Sequence, residues 1–303
     1  MPNKYDFALE KRLKELNPDL SKRYASCMSL FENMLKKYIV QFPDFTDHTL
    51  LHSMNVANYS NLLLGKDVNK LNEDEIYCYL MAVAVHDVGM GVSESNFKEF
   101  KDFYNIQKFM AENPFMPHSS IIRDFHNDLS EAFVHKYYQI LDIPDETYAN
   151  AIGLIAKGHR KTNLFDETQY PNDFKVSSGN IIHLPSLSAL IRLADEMDTC
   201  SDRNPDIIYG NYLNEKHSDY SRIHNKKHRS LEHYEIDSDE IELFSNNKYP
   251  EVYSFILDTV NDIYKKLNYA RDVTLKYGPF EIRQTKLILH YEGNNDLVAI
   301  TRN

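Results

Sequence analysis

Over about two-thirds of the chain, apolar residues return every three or four positions, the period of helices with one face buried. Phe7, Leu9, Leu13 and Leu16, then Met28, Leu30, Phe31, Met34, Leu35 and Tyr38, predict two helices within 4–40, parted near Asn17-Pro18. Pro43 ends that region, and Thr46 or Asp47 is placed to cap a helix carrying Leu51, Met54, Val56 and Leu62 to Leu64. Asn72-Glu73-Asp74-Glu75 has the form of a capping box. The helix it opens, with Ile76, Leu80, Met81, Val83 and Val85, is apolar nearly all round and is expected at the centre. An amphipathic stretch over 92–112 predicts a helix, either continuous or broken, and Asn113–Pro117 a turn. Helices are then expected over about 118–141, from Pro144-Asp145 to Gly158, and over Leu184–Thr199, with a polar loop at 162–182.

Past Asp202-Arg203-Asn204-Pro205 the period shortens. Leu231–Ile236 and Glu240–Phe244 flank Asp237-Ser238-Asp239, and Lys286–Tyr291 and Leu297–Thr301 flank Glu292–Asp296, so two hairpins are expected. Between them Pro250–Tyr277 reads as a long helix ended by Gly278. The fold expected is mainly α, a helical bundle over 1–203 with a smaller α+β accessory region over 204–303.

Composition narrows the classes. The 303 residues, 42 % of them hydrophobic and with only 9 Gly and 11 Pro, can fill a sizeable core and are not low-complexity. A net charge of −11 argues against general nucleic-acid binding. The basic run Arg222–Arg229 reads either as a grip on phosphates or as a solvated loop. Cys27, Cys78 and Cys200 have neither metal-like nor disulfide-like spacing, which suits a cytoplasmic protein with reduced thiols. The N-terminus MPNKYDFALEKRLKEL lacks an apolar signal core, and no apolar run approaches the ~20 residues of a membrane span, so no membrane partner is expected.

Candidate chemistry gathers where the central helix ends. Ala82–Gly91 runs apolar into His86-Asp87, with two glycines close behind. A buried imidazole beside a carboxylate is unfavourable unless something occupies both, and a metal ion would; a capping His and a solvated Asp are the plain alternative. His48 and His52 lie one helical turn apart and share a face. His126 lies mid-helix, and His159 follows the helix-ending Gly158 among Lys157, Arg160 and Lys161. Asp195 stands in Leu-Ile-Arg-Leu-Ala-Asp-Glu-Met-Asp, with Arg192 three residues before it and Asp198 three after.

In that order, His52, His86-Asp87, His126, His159 and Asp195 resemble the HD superfamily of metal-dependent phosphohydrolases over about residues 40–203. The resemblance implies an HD-type helical bundle with its site between helices. One metal would take His52, His86, Asp87 and Asp195; a second would share Asp87 and take His126 and His159. In the mononuclear branch a His at the place of His126 assists catalysis instead. The implied activity is hydrolysis of a phosphoester or phosphoanhydride in a small nucleotide or cyclic nucleotide. The implied cofactors are one or two divalent ions, Mn, Fe, Ni, Co or Zn, with Mg also open. Asp87 would bridge, His48 would contact phosphate or protonate the leaving group, and Lys157, Arg160, Lys161 and Arg203 would hold further phosphates. Met90 replaces the lysine of the cyclic-dinucleotide branch, and its Gly-Tyr-Pro signature is missing. The opening Thr-Asp-His-Thr-Leu-Leu-His and the mixed tail look more like bacterial HD proteins associated with heat-shock-chaperone-type ATPase modules in defence systems. That likeness implies an ATPase-module or homo-oligomer partner. A nucleotide sensor acting through 204–303 and an HD-type nuclease are the competing functions.

Overall fold

The protein is described by a computed structural model over residues 7–35, 50–102, 104–200, 219–292 and 297–301. Its centre is helix α4 (Glu73–Val85), every residue of which from Asp74 onward is buried. The reciprocal cap expected there is present: Asn72 Oδ1 accepts from the backbone of Asp74 and Glu75 at 3.0 and 2.9 Å, and Glu75 Oε2 accepts from Asn72 N at 3.0 Å. Around it lie α1 (Ala8–Leu16), α2 (Pro18–Leu35) and α3 (Leu50–Leu64). Leu9 and Leu13 of α1 are buried, and Leu9 N donates to Asn61 Oδ1 of α3 at 3.1 Å.

Of the two readings of 92–112, the broken one is observed. Helices α5 (Glu94–Phe100) and α6 (Ile106–Glu112) are separated at Asn105, whose φ of 57° is left-handed and cannot continue a helix. Helix α7 (His118–Tyr137) is followed by turns. These close at Asp142, with φ 52°, where Ile143 N donates to Tyr138 O at 2.9 Å and Asp142 N to Gln139 O at 3.2 Å. Helix α8 (Glu146–Lys157) is capped by Asp145, and α9 (Leu184–Met197) begins with Pro185 in its first turn. The stretch 162–182 departs from a plain loop: it holds a two-stranded ribbon, β1 (Phe174–Lys175) and β2 (Ile181–Ile182), too short to leave an alternating pattern.

The C-terminal region holds α10 (Asp219–Ser230), β3 (Leu231–Ile236), β4 (Glu240–Ser245), α11 (Tyr253–Tyr277), β5 (Lys286–Tyr291) and β6 (Leu297–Thr301). The two expected hairpins join in one sheet of order β3-β4-β5-β6, because β4 and β5 pair in parallel across α11. Ile241 and Leu243 of β4 and Leu287 and Leu289 of β5 share its buried face. The run Arg222–Arg229 lies inside α10 rather than in a loop. Its inner side is made by Asn225 and by His228, whose Nδ1 is 2.6 Å from Thr199 O, so the helix has little apolar periodicity to read.

Helix α11 packs along α9, and Arg283 pairs both carboxylate oxygens of buried Asp67 at 2.9 and 3.0 Å. Cys27, Cys78 and Cys200 are buried, and none is in a disulfide. Among the described residues no single helix is long and apolar enough to cross a membrane. The expected cap at Thr46 or Asp47 lies outside the described residues.

Candidate metal centre

Five segments deliver the centre. His52 stands on α3, His86 at the end of α4, His126 on α7, His159 two residues past α8, and Asp195 in the last turn of α9. Asp87 follows His86 in the bridge region (φ −101°, ψ 0°) and opens a short 3-10 turn, Val88–Gly91. That turn lies directly on α7. A Cβ on Gly89 would come within 2.0 Å of His126 O, so no side chain is tolerated there. Gly89 N donates to Ser130 Oγ at 2.9 Å, and Ser130 Oγ donates to His86 O at 2.7 Å. One hydroxyl of α7 thus satisfies backbone groups at the end of α4 and fixes the doublet against His126.

The imidazoles are aimed by their outer nitrogens. Nδ1 of His86, His126 and His159 lies 2.8, 2.7 and 2.5 Å from the carbonyl three residues earlier: Val83, Arg123 and Ala156. A carbonyl only accepts, so each Nδ1 carries the proton and each Nε2 presents a lone pair. His52 Nδ1 is turned the same way by Asp198 Oδ2 at 2.5 Å, and Asp198 Oδ1 accepts from Asn55 Nδ2 at 2.9 Å. All four Nε2 atoms face inward in two pairs, His52–His86 at 3.0 Å and His126–His159 at 2.9 Å.

Asp87 stands between the pairs. Its Oδ2 is 3.3 Å from His52 Nε2 and 3.6 Å from His86 Nε2. Its Oδ1 is 3.3 Å from His126 Nε2 and 3.9 Å from His159 Nε2. Asp195 Oδ1 joins the first pair, 3.2 Å from His52 and 3.7 Å from His86. Two triads, His52–His86–Asp87 and Asp87–His126–His159, therefore each have ligand atoms within 4.8 Å of one another and share one carboxylate. Facing lone pairs and buried carboxylates repel unless cations lie among them, so the donor set fits two divalent ions. Burial, reinforced by His126 and His86, holds the His159 imidazole well below its usual pKa, in its neutral form.

The expected phosphate contacts divide. Lys157 does not face an anion site: its ammonium is 3.1 Å from Asp128 Oδ1 and 2.8 Å from Glu131 Oε2, above the ring of Tyr104. It locks α8 to α7 instead, since a half-buried ammonium takes the nearest carboxylates. Arg160 is close to the centre, with Nη1 3.4 Å from His126 Nδ1, and Lys161 is exposed. His48 and Arg203 lie outside the described residues.

Sequence reasoning gave no role to Asp198, Asn55 or Ser130, and left Arg192 as a neighbour of Asp195. Buried Arg192 donates to Gly158 O from Nε and Nη2 at 2.9 and 2.7 Å and to Thr162 O at 2.9 Å, fixing the loop that carries His159. Gly158 lets that loop approach α9, for a Cβ there would lie 2.4 Å from Ser188 Cβ. The readable signal was spacing: Asn55 three residues after His52, and Asp198 three after Asp195.

A family model described as HD-CE matches residues 42–269, taking in every segment of the centre and most of α11. Comparisons with curated proteins and with solved structures gave no match. A match over most of the chain, on a mainly helical fold with His-Asp clusters buried between helices, shows that the chain belongs to the HD-CE family of HD domains.

Proposed function

We propose that the protein is a metal-dependent phosphohydrolase that cleaves a phosphoester or phosphoanhydride bond in a nucleotide or cyclic nucleotide. The observation that carries this reading is the Asp87 carboxylate, whose two oxygens face separate histidine pairs. Two divalent ions held by His52, His86, Asp87 and Asp195 and by Asp87, His126 and His159 would supply Lewis acidity toward phosphoryl oxygens and would acidify a water toward neutral pH.

The chain's own part is placement. Asp87 ties the two halves together, and the backbone carbonyls and Asp198 hold the outer protons of the imidazoles, leaving every Nε2 basic. The Nε2 of His126 lies 2.9 Å from that of His159, which favours a ligand role for it over a purely catalytic one. His48, four residues before His52, is the candidate to contact phosphate or protonate the leaving oxygen.

The test combines elemental analysis with turnover of a panel of nucleotides, cyclic nucleotides and pyrophosphate. Two metals per chain are expected, with turnover falling at least about a hundredfold in His86→Ala and Asp87→Ala. Undiminished turnover in Asp87→Ala, or tight nucleotide binding without product, defeats the proposal; the second result points to a sensor.

A further inference from the structure

The centre opens to solvent on one side. The side chains of His52, His86, Asp87, His126 and His159 are at most 8 % exposed, whereas that of Asp195 is 26 % exposed. What lines the Asp195 side therefore meets whatever enters. The neighbour there is α11, from the region that the periodicity sets apart from the bundle.

The register of α9 against α11 follows from one ring contact and one electrostatic pairing. Arg192 lies over the ring of Tyr269 at 5.0 Å, and one turn along each helix, in opposite directions, Glu196 and Asp195 are the carboxylates that act on Lys266. The helices run antiparallel, which brings Lys266 level with Asp195. Tyr269 fixes that register from the other side as well, because its hydroxyl accepts from Leu164 N at 2.8 Å in the loop beyond His159.

Lys266 is half-buried, and among the described residues no carboxylate, Glu196 included, comes within 4.0 Å of its ammonium. Arg160, on the loop that carries His159, is close enough to act on it electrostatically, and among the described residues it too has no carboxylate within ion-pairing distance. Burial, with Arg192 and Arg160 adding to it, pulls the Lys266 ammonium below its usual pKa against Glu196 and Asp195. Two partly dehydrated cations that repel each other beside a metal site, in a chain of net charge −11, are stabilised by a shared anion.

We propose that Lys266 and Arg160 form a phosphate clamp at the mouth of the centre, holding the non-reacting phosphoryl oxygens of the substrate beside Asp195. The accessory helix then completes the substrate site. This rests on the phosphohydrolase reading above, and the test separates the two.

The full-length protein is loaded with Mn2+ and titrated with inorganic phosphate, following broadening of the 31P resonance by the bound ion. Wild type is expected to bind phosphate, and Lys266→Gln and Arg160→Gln to weaken it about tenfold each at unchanged Mn content. Lys266→Arg is expected to recover most of the affinity. With a turned-over nucleotide the same loss is expected in KM rather than kcat. Wild-type phosphate affinity in a metal-replete Lys266→Gln protein overturns the clamp and leaves the hydrolase reading standing. A folded wild-type protein that takes up no metal overturns the hydrolase reading, and the clamp with it.

Discussion

The carboxylate of Asp198 accepts hydrogen bonds from His52 Nδ1 at 2.5 Å and from the Asn55 amide at 2.9 Å, and by doing so it decides where the other nitrogen of His52 points. Outer carboxylates of this kind set both the tautomer and the basicity of a ligand imidazole. Replacing Asp198 with Asn keeps the shape and removes the negative charge. Metal affinity is expected to fall about 10–100-fold, measured by competition with a chelator, while thermal unfolding of the metal-free protein changes little. An unchanged affinity rules out this role for Asp198. The inward-facing residues were legible in the sequence because each stands in a local pattern: His-Asp at the end of an apolar run, Asp195 in Leu-Ala-Asp-Glu. The groups that aim them were not, because a hydrogen bond between α3 and the end of α9 spans 146 residues and leaves no local signature. Lys157 failed in the opposite sense. Its position beside His159 suggested a phosphate, and only the packing of α7 against α8 reveals the carboxylates that take it.

Helix α8 delivers His159 at its far end and is started by Asp145. Burial would raise the Asp145 carboxyl, but hydrogen bonds from Ser177, from the Thr147 side chain and from the backbone of Thr147 and Tyr148 outweigh it and hold it below the usual range. A carboxyl depressed in the folded state stabilises fully above its unfolded pKa of about 3.9, and the contribution is lost as pH falls through the lower folded value. Asp145→Asn keeps an acceptor at the cap but gives up the charge. Wild type is expected to be the more stable at pH 6–7, with the difference closing below about pH 4, as urea titrations across that range would show. A gap independent of pH contradicts this. At this scale the sequence was most informative, since caps, prolines and apolar periods are local: the Asn72 box and all four long strands fell where the pattern put them. It failed for β1–β2, which is too short, and for α10, whose buried side is polar.

At the scale of the molecule, the periodicity suggested a bundle with an appendage, and the packing joins the two along α9 and α11. Helix α11 buries Ile256, Val260, Ile263 and Leu267 along one stripe and lies along α9, where Tyr269 faces Arg192. Arg283 also pairs with Asp67, in the turn just past α3. A chain ending at residue 203 leaves the α9 surface uncovered and Arg192 without its aromatic neighbour. Such a fragment is expected to be insoluble or to melt without a cooperative transition, read by circular dichroism. A soluble fragment that melts cooperatively and retains metal argues for an independent bundle. Sequence could not have shown this coupling, because pairing between distant helices and the parallel joining of β4 to β5 depend on three-dimensional neighbours.

The three buried cysteines sit in three parts of the fold: Cys27 on α2 against the turn after α7, Cys78 within α4, and Cys200 just past α9. Burial and Asp142 push the Cys27 thiol up to about 12 despite Arg23, and burial with Asp74 and Glu75 drives Cys78 well above the usual thiol value. Alkylation needs thiolate, so at pH 8 a reagent waits for the structure to open. Labelling followed by mass spectrometry should modify Cys78 last. The order in which the other two react would time the breathing of the outer layer against that of the seam beside the sheet, with the protein's own sulfur atoms as the clock.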